Sequence, residues 1–137
     1  MTQFEYEVYT DETETETTIR TAEIASVQDA VDAIEGDPDA VPVFLSAMSE
    51  NSGAYDSYAE GHMGGLPENT DELDTVIWSV HRYYRGYIDS FEDYGHMYAD
   101  SVFGIPEGLE AYINYDALGR DALENYLEYD GHYFEDH

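Results

Sequence analysis

The sequence has no cysteine and no lysine, and four arginines are its only strong bases. Without cysteine the chain can form neither a disulfide framework nor a thiolate site. No apolar run approaches the roughly 18–20 residues that a membrane-spanning helix needs. The first nine residues lack the basic segment that begins a secretory signal. These absences predict a protein of the cytoplasm.

Negative charge is what the sequence has in excess. Asp and Glu number 32 against the four arginines, which gives a formal net charge of −28 in 137 residues. Solubility alone needs only about 2–8 net charges in a small domain, and like charges destabilise a compact fold. Three explanations fit the composition: adaptation to concentrated salt, a basic partner of no special kind, and imitation of DNA, which carries about one negative charge per 1.7 Å.

The composition also predicts a folded chain. Apolar residues make up 42% and aromatic residues 15% of the sequence, whereas charge-driven disorder comes with few aromatics. Residues 4–9 alternate apolar and polar side chains, and residues 19–25 can return as a second strand. Ser26 is a helix-capping residue before an apolar 3.6-residue period, and Gly36 follows where that helix should end. This pattern predicts a β-hairpin followed by a helix.

The middle of the chain is predicted to be mainly helical. Residues 41–49 favour a short helix, whereas residues 51–69 are rich in Gly and Pro and are expected to be a poorly ordered linker. A strong helix should begin near Asp71, with an apolar stripe formed by Leu73, Val76, Ile77, Val80, Tyr84, Tyr87 and Ile88. A second helix, capped by Ser90 or Asp89, should follow and end at Gly104, with Phe91, Tyr94, Met97, Tyr98 and Val102 facing inward.

The last part of the chain combines helix and strand signals. A helix is expected over residues 116–127, and Asp130-Gly131 predicts a turn that leads into a short strand at Tyr133-Phe134. The predicted fold class is therefore α+β. Three segments are expected: residues 1–36, a hairpin and helix; residues 37–104, helical; and residues 105–137, a small α+β segment.

The acidic side chains are spread along all these elements, which argues against an acidic tail. On a helix, carboxylates one turn apart repeat about every 5.4 Å and can approximate a row of phosphates. Any single acidic triplet is more simply a solvated helix face, but repetition without lysine favours a binding surface. The candidate phosphate-mimicking carboxylates are Asp29, Asp32, Glu35, Glu92, Asp93, Glu107, Glu110, Asp116, Asp121, Glu124 and Glu128. Of these, Asp121, Glu124 and Glu128 are expected on one helix.

Catalytic and metal sites find little support in the sequence. No nucleophile motif and no phosphate-binding Gly loop is present, so the chain is predicted not to be an enzyme and to need no cofactor. Histidines and carboxylates crowd the C-terminus, but no pair of histidines has the i, i+4 spacing of a helical metal site. No metal site is therefore predicted. A metal-dependent enzyme using His96 or His132 stays a remote alternative.

The arginines and tyrosines have simpler interpretations. Arg82, Arg85 and Arg120 lie among aromatic and acidic residues, so they are expected to tie helices together through carboxylate pairs. The tyrosines of the second half are expected mainly in the core, with a minority at an interface.

Residues 105–123 read IPEGLEAYINYDALGRDAL. This segment resembles the C-terminal domain of the ArdA antirestriction family, whose members carry Tyr-Ile-Asp-Tyr-x-Ala-x-x-Arg-Asp-Leu after a Pro and a Leu. The matching residues are Pro106, Leu109, Tyr112, Ile113, Tyr115, Ala117, Arg120 and Asp121. Asn114 replaces the usual Asp, and Ala122 precedes Leu123. The resemblance covers roughly the last 45 residues, and the family's Tyr-Asn-x-Gly and Gly-x-Trp signature is missing from the N-terminal half.

The resemblance implies an elongated, dimeric α+β protein that imitates B-DNA. It further implies a partner, a type I restriction–modification enzyme whose DNA groove the protein occupies, and no binding of nucleic acid or membrane. Tyr112, Ile113, Tyr115 and Arg120 are then expected to form core or dimer contacts. Two alternatives stay open at this point. One is a DNA mimic that acts on a CRISPR effector or another defence complex, and the other is an acidic domain of a salt-loving cell, which would unfold at low salt.

Overall fold

The computed structural model describes residues 1–43, 52–106 and 108–137. The fold is α+β, as the sequence predicts. The chain divides into two compact units, Met1–Arg82 and Tyr83–His137. The division into three segments that the sequence suggests stays a prediction. No helix among the described residues has the length and apolar character to cross a bilayer.

The first unit begins with the predicted hairpin. Strands β1 (Thr2–Tyr9) and β2 (Thr17–Ile24) pair antiparallel without a register shift. Phe4, Tyr6 and Val8 are buried, because alternate side chains of a strand point to the same face. The residues between them in β1 face solvent, so the hairpin has one core face and one exposed face.

The helix predicted after the hairpin is present as α1 (Val27–Glu35). The Ser26 side chain accepts a hydrogen bond from the Asp29 backbone N–H, and Gly36 follows the last turn. Val27, Ala30, Val31 and Ile34 are buried, as their i, i+3, i+4, i+7 spacing requires.

The expected linker over residues 51–69 is wrong. Residues 52–62 form helix α2 (Ser52–His62), and Tyr55 and Tyr58 are almost fully buried there. The glycines misled the prediction, because a helix tolerates Gly where buried aromatic side chains hold it against the core. The short helix expected over residues 41–49 lies mostly outside the described residues.

Helix α3 (Thr70–Tyr83) is shorter than its apolar stripe suggests. Leu73, Val76, Ile77 and Val80 are buried as predicted, but Tyr84–Tyr87 forms strand β3 of the second unit. Gly86 has a φ of 130° and lies at a register shift of this strand. The continuation of the stripe through Tyr84, Tyr87 and Ile88 is thus wrong, because pairing of β3 with another strand of the second unit takes these residues out of the helix.

The second unit packs helices α4 (Phe91–Val102) and α5 (Tyr115–Ala122) together and adds a three-stranded antiparallel sheet. Ser90 caps α4 as predicted, since its side chain accepts a hydrogen bond from the Asp93 N–H. Gly95 and Ala99 are the buried residues of this helix. Met97 and Val102 are more than half exposed, so their predicted inward orientation is wrong.

The sheet has the order β3-β5-β4, where β4 is Tyr126–Tyr129 and β5 is His132–Glu135. Asp130 and Gly131 both have positive φ, which is the geometry of a two-residue hairpin turn, so the predicted turn and strand are confirmed. The predicted helix over residues 116–127 is too long, because α5 ends at Ala122.

Candidate functional site

Exposed carboxylates cover both units. On the hairpin, Glu5 and Glu7 lie on the solvent face of β1, opposite the buried Phe4, Tyr6 and Val8. A strand places alternate residues about 6.6 Å apart on one face. The exposed face of β1 therefore carries a short row of negative charges.

The carboxylates of α1 have different surroundings. Asp29 is part of the helix cap, since its carboxylate accepts a hydrogen bond from the Ala25 N–H at 2.8 Å. Asp32 accepts a hydrogen bond from the Gln28 side chain at 2.9 Å. Glu35 is exposed and has no hydrogen bond or ion pair with a described residue. Of the three predicted phosphate mimics on this helix, Glu35 is therefore the one with an unengaged carboxylate.

Helix α4 presents Glu92 and Asp93 to solvent in its first turn. The Glu92 carboxylate lies 4.0 Å from His96 Nε2. The Asp93 carboxylate has no polar partner among the described residues, although its backbone N–H bonds to Ser90. Asp93 is thus available to a binding partner without breaking an internal contact.

The last group belongs to the second unit after α4. Asp116 pairs with Arg120 one turn away at 2.7 Å, and Glu128 accepts a hydrogen bond from the Gly131 N–H at 2.6 Å. Glu110, Asp121 and Glu124 are exposed and make no side-chain bond to a described residue. Glu107 lies outside the described residues.

Two of these carboxylates are not where the sequence predicts them. Because α5 ends at Ala122, Glu124 lies in the following turn and Glu128 lies in β4. Asp121, Glu124 and Glu128 therefore do not form one helical row. Five exposed predicted carboxylates keep their oxygens free of hydrogen bonds and ion pairs with described residues, and we call them the unengaged set: Glu35, Asp93, Glu110, Asp121 and Glu124.

Some helix C-termini carry negative charge where the helix dipole disfavours it. α1 has no basic residue in its last turn, and that turn includes Glu35. α4 likewise lacks a basic residue in its last turn, and Asp100 is exposed there. Carbonyl groups at a helix C-terminus favour cations by about 0.3–1 kcal/mol. These acidic residues oppose helix stability, so local folding does not explain them.

Sequence reasoning missed further members of the acidic surface. Asp71 and Asp74 of α3 are exposed on the side opposite the buried Leu73 and Val76. Their i, i+3 spacing was a usable signal. Glu5 and Glu7 could have been found from the period-two alternation of β1.

All four arginines are engaged within the protein. Arg20 pairs with Asp37 and Asp39, and Arg85 pairs with Glu135 at 2.6 Å. Arg120 contacts the Phe91 ring besides Asp116, and Arg82 lies over the Trp78 ring at 5.1 Å. The prediction that carboxylate pairs of the arginines tie helices together is wrong in detail. The Arg85–Glu135 pair joins two strands, and Arg120 pairs with a carboxylate of its own helix and reaches α4 through the Phe91 ring.

Two acidic groups are held in their charged form by hydrogen bonds. The Thr15 side chain and backbone lower the pKa of Asp11. The Tyr6 hydroxyl donates to Asp37 at 2.8 Å, and this bond, more than the neighbouring Arg20, lowers the pKa of Asp37. Both carboxylates therefore stay ionised to lower pH than an ordinary Asp.

The residues that carry the C-terminal motif form the fold more than the acidic surface. Tyr115 is buried and begins α5, and the Asn114 side chain caps that helix by accepting a hydrogen bond from the Ala117 N–H. An Asn caps as well as an Asp, so the substitution at position 114 leaves the cap intact. Ile113 is half-buried, whereas Tyr112 is 85% exposed.

The histidines of the alternative metal-enzyme interpretation have packing roles. His132 is buried, and its Nδ1 lies 2.8 Å from the Tyr84 hydroxyl. Burial lowers the pKa of His132. His96 stacks on the Tyr115 ring at 3.5 Å. In the described ranges, no three His, Cys, Asp or Glu side chains are grouped to hold a metal ion.

Two concavities of the first unit are open and polar. The larger of these two has a volume of about 500 Å³ and is lined by Met1, Thr2, Gln3, Glu5, Glu68 and Asn69. Small-molecule sites are mostly apolar and enclosed. This chemistry suits a macromolecular surface better than a small ligand.

Comparison with known proteins identifies one matching family. The model of one protein family, described as "Antirestriction protein (ArdA)", matches residues 3–135. No curated protein matches the chain significantly, and no solved structure does. The family match covers both units and thus extends well beyond the C-terminal motif.

Proposed function

The chain belongs to the ArdA family of antirestriction proteins, and from that premise we propose that it inhibits a type I restriction–modification enzyme by occupying its DNA-binding groove. Carboxylates would take the place of DNA phosphates, and the Lys and Arg side chains that line such a groove would bind them. The protein itself would bind neither nucleic acid nor membrane, and it would act in the cytoplasm.

One observation supports this proposal most: few positive charges oppose the negative surface charge. The net charge is −28, and each arginine already contacts a carboxylate or an aromatic ring. An ordinary protein surface intersperses both signs. A surface of one sign attracts a DNA-binding groove and accelerates association with it.

The unengaged set supports the same proposal at the level of single residues. These carboxylates make no hydrogen bond or ion pair with a described residue, so they can bind a guanidinium or ammonium group without breaking an existing bond. Their placement on short, packed elements limits the ordering entropy that binding would otherwise cost.

A homodimer is part of the proposal. Several large apolar side chains of the second unit are exposed: Tyr87, Met97, Val102, Phe103, Leu109 and Tyr112. Apolar and aromatic surface of this kind is enriched at homodimer interfaces. Sedimentation equilibrium tests this part, because a dimer has twice the 15.5 kDa mass of one chain.

A plating assay tests the proposed activity. The assay uses cells that restrict unmodified phage through a type I enzyme. When these cells express the protein, the plating efficiency of the phage should rise roughly to that on a non-restricting host, because the blocked enzyme cannot bind the phage DNA. An isogenic strain without the restriction genes is the control. Unchanged restriction at full expression would refute the proposed target, and relief only in a strain that defends itself through a CRISPR effector would replace it.

A further inference from the structure

The two edges of the N-terminal hairpin differ. The outer edge of β1 is covered by backbone groups of the same unit: the Glu5 N–H donates to the Glu68 carbonyl at 2.8 Å, and the Tyr9 N–H donates to the Asp39 carbonyl at 2.8 Å. The Val41 N–H donates to the Glu7 carbonyl at 3.0 Å. This edge of the sheet therefore has hydrogen-bond partners.

The outer edge of β2 has no such cover in the described part of the chain, where the sheet has two strands. Glu5, Glu7 and Tyr9 turn their backbone groups away from β2 and face Thr21, Ile19 and Thr17 across the pair. In an antiparallel ladder such pairs exchange no hydrogen bonds. The N–H and C=O groups of Thr17, Ile19 and Thr21 therefore point outward along the open edge of β2, and Glu23 continues the series.

The sequence of β2 contains few of the devices that usually protect an open edge. Proteins discourage edge pairing with charged side chains, Pro, bulges or very short strands. β2 has eight residues and no Pro or Lys, its register with β1 is continuous, and of its two charged residues Arg20 already pairs with Asp37. Ile19 is 54% exposed, and most residues of this strand are β-branched. The edge is long, regular and competent for pairing.

Charge indicates what can pair there. Arg20 and Glu23 are the charged residues of β2, so the edge itself is close to neutral within a chain of net charge −28. A second copy would bring the same large negative charge. At β2, Ile19 is the large exposed apolar side chain available to offset that repulsion, whereas the proposed homodimer contacts use the exposed apolar residues of the second unit. A basic segment would be attracted by Glu5 and Glu7 on the exposed face next to β2.

We propose that the open edge of β2 binds an extended, basic segment of a partner protein, which adds to the hairpin as a third strand. Main-chain hydrogen bonds supply the affinity in this mode of binding, and side chains on alternate positions supply the selectivity. The exposed Ile19 would contact an apolar residue of the added strand, while its basic residues would lie near the carboxylates of β1. The proposal uses Glu5 and Glu7 of the acidic surface, but it is independent of the unengaged set and of the identity of the enzyme that the protein inhibits.

Amide hydrogen exchange of the wild-type protein tests this directly. The probe is a short synthetic peptide in which Lys and Val alternate. We expect it to slow exchange at the amides of Ile19 and Thr21 by about tenfold or more, because a hydrogen-bonded amide exchanges only when the pair opens. The same peptide with N-methylated backbone amides along one edge keeps its charge but cannot complete the ladder, and it should give no protection.

A variant pair separates the backbone edge from simple charge attraction. Thr21→Pro removes an outward N–H and no bond to β1, and Pro is tolerated at such an edge position. It should weaken binding of the Lys/Val peptide by about tenfold, while Thr21→Val, which keeps the N–H, should bind as the wild type does. Melting curves check that both variants are folded.

Three results would overturn the proposal. The first is unchanged exchange at Ile19 and Thr21 in the presence of the Lys/Val peptide. The second is equal binding of the N-methylated peptide, which would show attraction by charge alone. The third is a wild-type dimer that Thr21→Pro converts to a monomer, which would show that the edge pairs with a second copy of this chain.

Discussion

At the scale of single residues, acidic side chains of similar exposure have different roles. Asp29 and Glu128 accept backbone hydrogen bonds that hold a helix cap and a turn. Glu35 and Asp121 are exposed and have no such bond to a described residue. A carboxylate that already accepts a hydrogen bond gains less from a new cation, because the new contact competes with the old one. The unengaged set should therefore dominate partner binding.

Neutralising the unengaged set tests this distinction. We expect the combined variant Glu35→Gln, Asp93→Asn, Glu110→Gln, Asp121→Asn and Glu124→Gln to bind the type I enzyme about tenfold or more weakly, since exposed charge pairs contribute about 0.2–1 kcal/mol each. Its melting temperature should not fall, because no internal bond is lost. Binding is measured by titration at fixed salt.

The control for that variant removes the same charge elsewhere. Asp29→Asn, Asp32→Asn, Glu92→Gln, Asp116→Asn and Glu128→Gln also neutralise five carboxylates, and the amide oxygens can still accept the internal hydrogen bonds. This control should lose less binding. Equal losses in the two variants would show that total charge, and not the unengaged set, determines affinity.

The sequence identified the acidic surface but could not rank its members. Whether a carboxylate is engaged depends on a backbone N–H that the fold brings near it, as the N–H of Gly131 is brought to Glu128. Asp29 is an exception, because an acidic residue three positions after Ser26 resembles a capping box, although its carboxylate accepts from the Ala25 N–H and not from that of Ser26. That pattern was readable in advance and predicts an engaged carboxylate.

At the scale of elements, the crossing of α4 and α5 determines the second unit. The two helices meet at glycines: a Cβ on Gly95 would lie 1.9 Å from the Tyr115 carbonyl oxygen, and a Cβ on Gly119 would lie 2.0 Å from the Phe91 carbonyl oxygen. The backbones are therefore in direct contact at this crossing. This contact explains the glycine within the segment that resembles the family motif.

Replacing either glycine should disrupt the crossing. Gly95→Ala or Gly119→Ala forces the helices apart, and overpacking of this kind typically destabilises by about 1–3 kcal/mol. Thermal or urea unfolding followed by circular dichroism measures the loss. Gly65→Ala is the matched control, because a Cβ there meets nothing within 4 Å. Equal melting temperatures for Gly95→Ala and Gly65→Ala would contradict the close crossing of α4 and α5.

Elements with local signals were predictable, and those that depend on distant contacts were not. The hairpin, α1 with Ser26, and the Asp130-Gly131 turn follow from period, cap and turn residues. α2 and β3 were missed because burial of Tyr55 and pairing of Tyr84 with Phe134 are tertiary events. The end of α5 was missed because the apolar pattern continues into β4.

At the scale of the whole molecule, net charge requires an explanation that the fold does not supply. A charge of −28 on 137 residues destabilises the compact state through self-repulsion. Salt screens that repulsion and equally screens attraction to a basic groove. Added salt should therefore stabilise the free protein and weaken its complex with a DNA-binding enzyme. A protein that is acidic only because its cell is salty would have no such complex.

The most direct measurement is an equilibrium competition between the protein and duplex DNA for a purified type I restriction–modification enzyme, repeated across salt concentrations. Occupation of the DNA-binding groove predicts that binding of the two is mutually exclusive. It also predicts that the affinity of the protein falls steeply with log salt, as the affinity of DNA does when phosphate contacts are replaced by counterions. A ternary complex that holds enzyme, DNA and protein together, or binding that is insensitive to salt, would contradict it.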